Sequence, residues 1–351
     1  MTEKDLNYVI GVLKGEEAEP PSDWFVVLGF LQSHRIEGLF YNRAKKQGII
    51  LPKKAEKLLS ETFMRQKRRV EFVRGYIREL SQAMSENGAD YIFLKGSVLS
   101  NLSEENSVYQ DGERISNDID LLVKPDGIGA AEKALQVLGY QQGEYEKESG
   151  KIRAYTRLEI VKRRMNRGEA APFIKLTGDP EIPFVEADIN FSLGNTPGAG
   201  LPLLEAMLQT SQKYCGHVRM QVPNDEMFFM HLIMHQYKES ELYFTVERGK
   251  DLDLYKLADI YYLYKGEKFE REKLYKISEE FETKKEVGAV LWQVGEVFSD
   301  EKLRKYAENF GTEQPKVLDY EGKKQYKWAT GIRKRITTFD TRKYLKEEAG
   351  K

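Results

Sequence analysis

The chain has 351 residues, 40% hydrophobic and 32% charged, with a net charge of −1. That balance fits a folded, soluble protein and excludes any global field drawing the chain to nucleic acid or membrane; such attraction must be local. A single cysteine, Cys215, excludes an internal disulfide and a cysteine-rich zinc site, so a cytoplasmic home is expected.

The first residues, Met1 to Gly15, carry charges throughout and do not read as a signal peptide. Leu6, Val9, Ile10 and Leu13 fall at helical spacing. Pro20-Pro21-Ser22-Asp23 opens a second helix with Ser22 or Asp23 as its cap. The apolar run from Trp24 to Leu31 is too short to span a bilayer, and no membrane partner is expected. A long helix is predicted from Lys53 to Ser85, ended by Asn87-Gly88. Its Lys67-Arg68-Arg69 triplet is read as a solvated face.

The period then changes. Tyr91 to Leu94 reads as a strand, Gly96-Ser97 as a turn and Val98 to Leu102 as the start of a helix. Residues 103–117 form a polar loop. Asp118 to Val123 alternates as a strand, and Pro125-Asp126 starts a helix stopped by Gly139. Tyr140 to Ile174 reads as hairpins carrying the basic residues Lys162, Arg163, Arg164 and Arg167. Phe184 to Phe191 is one more strand. From Pro223-Asn224-Asp225 the helical pattern returns, including Leu252 to Tyr264 and two helices within Lys273 to Phe298. The polar, basic stretch from Gln314 to Lys351 is expected to be helical or to order on contact. The expected organisation is α/β (α+β): a helical region over 1–88, a small mixed-sheet core over 89–222 with a hairpin insertion, and a helical region with a basic tail over 223–351.

The chemistry concentrates in the core. Asp118 and Asp120 are i, i+2 on a strand, so both carboxylates point to one side. Like charges held that close repel unless a cation joins them. Mg²⁺, or Mn²⁺, suits carboxylate oxygens together with substrate phosphates, so the pair reads as a metal site for a triphosphate. Gly96 allows close backbone approach to a ligand, and Ser97 adds a hydroxyl beside the helix start. Lys95 can neutralise phosphate charge, or be a surface lysine beside a tight turn. Asp188 on its own strand supplies a third metal-binding carboxylate, with Glu186 on the same face. Arg114 suits a departing pyrophosphate, or pairs with Asp118 or Asp111.

Gly-Ser followed by Asp-h-Asp-h and a later lone carboxylate resembles the polymerase-beta-like nucleotidyltransferase superfamily. More narrowly, Leu94-Lys95-Gly96, Arg114, Asp118 to Val123 and Gly139-Tyr140 resemble the bacterial "uncharacterised nucleotidyltransferase" family, loosely from Trp24 to about Tyr264. The resemblance implies that Gly96 and Ser97 hold nucleotide phosphates and that Asp118, Asp120 and Asp188 are the catalytic, metal-binding acids. It implies NMP transfer from an NTP to an acceptor (small molecule, peptide, protein or RNA) with release of pyrophosphate. Asn190 stands where the family often shows a histidine, and the gap from Ser97 to Asp118 is longer than the superfamily's usual one. The competing readings are a non-catalytic nucleotide- or partner-binding protein on the same fold and a phosphotransferase using the same metal site.

Other features are read structurally. His231 and His235 are i, i+4, but Leu232 stands where a zinc-protease glutamate belongs, so core or interface histidines are expected. Tyr261-Tyr262-Leu263-Tyr264 reads as helix packing. The basic tail around Arg333-Lys334-Arg335 is a solvated end or a grip for an acidic partner.

Overall fold

Tyr91–Phe93 (β1) and Asp118–Val123 (β2) are apolar enough to be buried on both faces, and they pair antiparallel, Phe93 opposite Leu121. In the computed structural model, which describes residues 1–102, 105, 107–195 and 198–348, they belong to a mixed sheet. The other strands are Gln141–Glu146 (β3), Lys151–Ala154 (β4), Phe173–Leu176 (β5) and Phe184–Asn190 (β6). Among the described residues the order is β1-β2-β6-β5-β3-β4, with β2 and β6 parallel and the remaining pairs antiparallel. Leu121, Leu122, Val123, Ala187 and Ile189 have no exposed surface. Burying each large aliphatic of this kind contributes roughly 1.5–3 kcal/mol. That apolar bed fixes the register of the two strands carrying the acids, because a one-residue slip would turn every side chain to the opposite face.

This sheet lies in a compact unit of residues 66–231, which also holds the hairpin of Gln212–Cys215 (β7) and Arg219–Val222 (β8). Residues 1–65 and those from 232 onward make a second unit. It is mainly helical, with Glu3–Lys14, Trp24–Ser33, Glu37–Lys46, Leu254–Lys265 and Lys284–Val297 among its helices. Asp23 caps the helix Trp24–Ser33, accepting from the N–H groups of Phe25 and Val26. Tyr261 stacks flat on Phe298 at 4.0 Å between centroids, so the tyrosine run is helix packing as expected.

Three local expectations are corrected. Gly96-Ser97 is not a turn ahead of a helix: the helix is Lys95–Leu99, already begun at Lys95. The stretch between the hairpin β3–β4 and β5 is not strand but a helix, Arg157–Arg167, started by a capping box in which Thr156 and Glu159 satisfy each other's backbone N–H groups. The side chain of Arg167 lies outside the described residues, as do Ser103, Glu104 and Asn106 of the expected polar loop. Last, the basic tail orders within the chain. Val317–Leu318 (β9), Gln325–Trp328 (β10) and Leu345–Glu347 (β11) form a small antiparallel sheet, and a short helix covers Ile332–Ile336. Arg333 donates to Glu3, Asn7 and the carbonyls of Glu296 and Val297. Arg335 is buried against Asp251 at 2.7 Å and over the Trp328 ring. Lys324 and Lys327 face Glu347 and Glu348. The chain's own carboxylates meet these cations, which removes the charge argument for an acidic partner there. Among the described residues no helix is long and apolar enough to cross a membrane.

Candidate active site

Parallel pairing of β2 with β6 sets Asp118 opposite Glu186, Asp120 opposite Asp188 and Leu122 opposite Asn190. All of these point to one face, by the period of two. Each of Asp118, Asp120 and Asp188 offers an oxygen within 4.8 Å of the others'. The sequence-predicted acids are therefore brought together, and no histidine joins the group among the described residues. His231 is buried and His235 faces Glu239 at 3.8 Å.

The cluster is costly as it stands. Asp120 is only 2% exposed. Burial and the neighbouring Asp118 push its carboxyl up to about 6 against the pull of Lys95. Burial, then Asp118 and Asp120, hold Asp188 well above the ordinary carboxylate range and push Glu186 up to about 7. Asp188 Oδ1 is buried with no hydrogen-bond partner, and so is the Ser97 hydroxyl. An unpaired carboxylate oxygen among other carboxylates is a poor resting arrangement and a good cation ligand. The donor set is all oxygen, which fits Mg²⁺ or Mn²⁺ better than a softer metal.

Lys95 is the one cation seen inside the cluster among the described residues. β1 runs into the Lys95–Leu99 helix beside β2, Leu94 N–H bonding the Asp120 carbonyl at 3.0 Å. Lys95 has a left-handed backbone, φ 50°, uncommon for a residue with a side chain. Its Nζ lies 2.7 Å from Asp120 Oδ1. Burial works against the ammonium, yet Asp120 and Asp118 outweigh it and raise the lysine above its usual range. Asn190, which sequence reasoning left without a role, donates to the same Asp120 oxygen at 3.3 Å and to the Leu121 carbonyl at 3.2 Å. Its position two residues after Asp188, on the same face, was the available signal.

Gly96 serves a packing need. A Cβ there would sit 2.6 Å from both Cβ and Oγ of Ser116. The Ser116 hydroxyl in turn donates to the Asp118 carbonyl at 2.7 Å and to Asp118 Oδ1 at 3.2 Å. Arg69, from the triplet read as a solvated face, holds the same loop by donating to the carbonyls of Ser116 and Asn117. Its neighbour Arg68 pairs with Asp179 and Glu181, which corrects that reading. Gly96→Ala is therefore expected to displace Ser116 and loosen Asp118, with a stability loss of about 1–3 kcal/mol measurable by urea unfolding. Arg114 is buried, with its guanidinium on the Ile115 carbonyl. Asp111, one of its expected partners, pairs instead with Arg74 at 2.6 Å.

A family model described as "Uncharacterised nucleotidyltransferase" matches residues 20–299. The chain belongs to that family. The match covers the sheet with its acid cluster and continues past Tyr264 into the later helices, further than the motifs alone reach. No curated protein and no solved structure matches the chain.

Proposed function

We propose that this nucleotidyltransferase-family chain uses Mg²⁺, or Mn²⁺ in its place, to transfer NMP from an NTP to an acceptor, releasing pyrophosphate. The observation that carries the reading is the convergence of Asp118, Asp120 and Asp188 within 4.8 Å, with one Asp188 oxygen unpaired. These three residues would hold the ion. When bound, a divalent ion offsets the charge that builds on the phosphoryl oxygens and on the leaving pyrophosphate.

The chain's own residues divide the remaining work. Asn190 keeps Asp120 oriented, and Ser116 does the same for Asp118. Gly96 gives the close packing that holds that loop against the Lys95–Leu99 helix. Ser97, with a free buried hydroxyl, is the donor assigned to a nucleotide phosphate. Lys95 supplies positive charge to the phosphates, and Arg114 a guanidinium for the departing pyrophosphate. Asp188 is placed to accept a proton from an attacking hydroxyl if a ligand leaves one of its oxygens free.

The test is incubation with each labelled NTP, Mg²⁺ and candidate acceptors, with product analysis for pyrophosphate against NDP. Pyrophosphate release by the wild type and none above background by Asp118→Asn is expected. NDP as the product would make the reaction a phosphoryl transfer. Equal pyrophosphate release by both proteins would remove Asp118 from catalysis.

A further inference from the structure

The unit formed by residues 1–65 and those from 232 onward contains a cavity of about 360 Å³ that the nucleotidyl chemistry does not use. That volume lies within the range of small-molecule clefts. One side is apolar: Val26 and Phe30 of the helix Trp24–Ser33, Leu252, Ile336, and Phe339, which is 96% exposed. The other side is polar and deeply buried. Arg335 (1% exposed) and Thr341 (7% exposed) both line the cavity. Arg335 Nε and Thr341 Oγ1 have no hydrogen-bond partner. An unmet guanidinium N–H and an unmet hydroxyl in one cavity are costly unless a ligand oxygen meets them.

The remaining groups set the sign of the ligand's charge. Asp251 is already paired with Arg335. Glu247 is met by Arg342 and the Tyr320 hydroxyl. His34 accepts from Leu254 N–H at Nδ1, so Nε2 carries the hydrogen that it donates to the Ile336 carbonyl, and burial lowers its tendency to protonate. Arg248, which also lines the cavity, has its guanidinium 3.9 Å from the Phe244 ring centroid and adds positive charge. Both carboxylates are thus answered, and unanswered donors remain.

We infer that this cavity is a binding site for a small carboxylate with an apolar tail, its oxygens taken by Arg335 Nε–H and the Thr341 hydroxyl and its tail lying against Val26, Phe30 and Ile336. The inference rests on the helical unit alone and holds whichever reaction the acid cluster performs.

Isothermal titration of the full chain with 3-phenylpropionate, and separately with 3-phenylpropionamide, tests it. Saturable one-to-one binding of the acid is expected, with Kd below about 1 mM. The neutral amide should bind about fivefold or more weakly, the loss of a charge-assisted contact. Gly29 also lines the cavity, and a Cβ there meets nothing within 4 Å. Gly29→Leu therefore plugs the space while improving helix propensity, and it should abolish binding with an unchanged circular dichroism spectrum. Thr341→Val, which keeps the side chain's shape, should weaken the acid about threefold to tenfold. The site is overturned if the wild type shows no saturable binding of the acid, or if folded Gly29→Leu binds it as the wild type does. Equal affinity for acid and amide would overturn the assignment of a carboxylate.

Discussion

Asp188→Asn should lose about a thousandfold in turnover, near 4 kcal/mol of transition-state stabilisation, while the metal-free protein becomes more heat-stable. Both effects have the same source. Asp188 brings the third oxygen to a cluster whose members lie within 4.8 Å, and one of its oxygens has no partner. Without a bound ion its negative charge opposes folding, because burial and Asp118 hold the carboxyl well above its ordinary range. A carboxyl raised in the folded state contributes instability at neutral pH, and this fades as the pH falls and the group takes up its proton. The advantage of the asparagine variant should therefore be visible at pH 7 and should shrink on acidification. Removing one like-charge contact gives on the order of 1 kcal/mol, or about 2–4 °C. Saturating Mg²⁺ should reverse the order, since an ion that binds only the native state stabilises it. Calorimetric melts with and without Mg²⁺ decide this. A variant that is less stable in both conditions would mean that Asp188 serves the fold and not a cation.

Lys95→Met should destabilise the unit of residues 66–231 by about 3 kcal/mol, the usual consequence of breaking a buried ion pair from one side. Lys95 lies 2.7 Å from Asp120, whose side chain is 3% exposed, so the substitution leaves a buried carboxylate beside Asp118 and Asp188 with only Asn190 to answer it. Methionine keeps the length and apolar stem of lysine and inherits the same left-handed backbone, so the comparison isolates the charge. Adding Asp120→Asn to Lys95→Met should recover most of the loss, and Mg²⁺ should recover part of it in the single variant. Urea unfolding of the two singles and the double gives the coupling directly. No coupling between positions 95 and 120 would show that the ammonium contributes nothing to holding the acids together.

The acid cluster was legible because its cause is local. Asp118 and Asp120 stand two apart in an apolar alternation, and Asp188 repeats that setting, so strand geometry alone turns each toward one face. Their mutual approach needed the parallel register of β2 and β6, for which the family resemblance stood in. The helix Arg157–Arg167 was misread because Leu158, Val161 and Met165 are exposed, so its apolar residues trace no buried stripe. The pair Thr156 and Glu159 was the readable sign. The tail was misread because its order depends on partners far off in sequence. Nothing near Arg335 announces Asp251, and nothing near Arg333 announces Glu3. Arg69 looked like one of three surface cations, since its acceptors are backbone carbonyls, which no side-chain pattern reveals.

The parallel pairing of β2 with β6 also has a bearing on synthesis. Parallel neighbours need a crossover, and here everything from Lys124 to Pro183 intervenes between the strand ends. A nascent chain released before residue 188 carries two of the three acids and no third. Truncated or half-assembled copies are thus silent by construction, and the capacity to hold the ion reports that the whole sheet has closed.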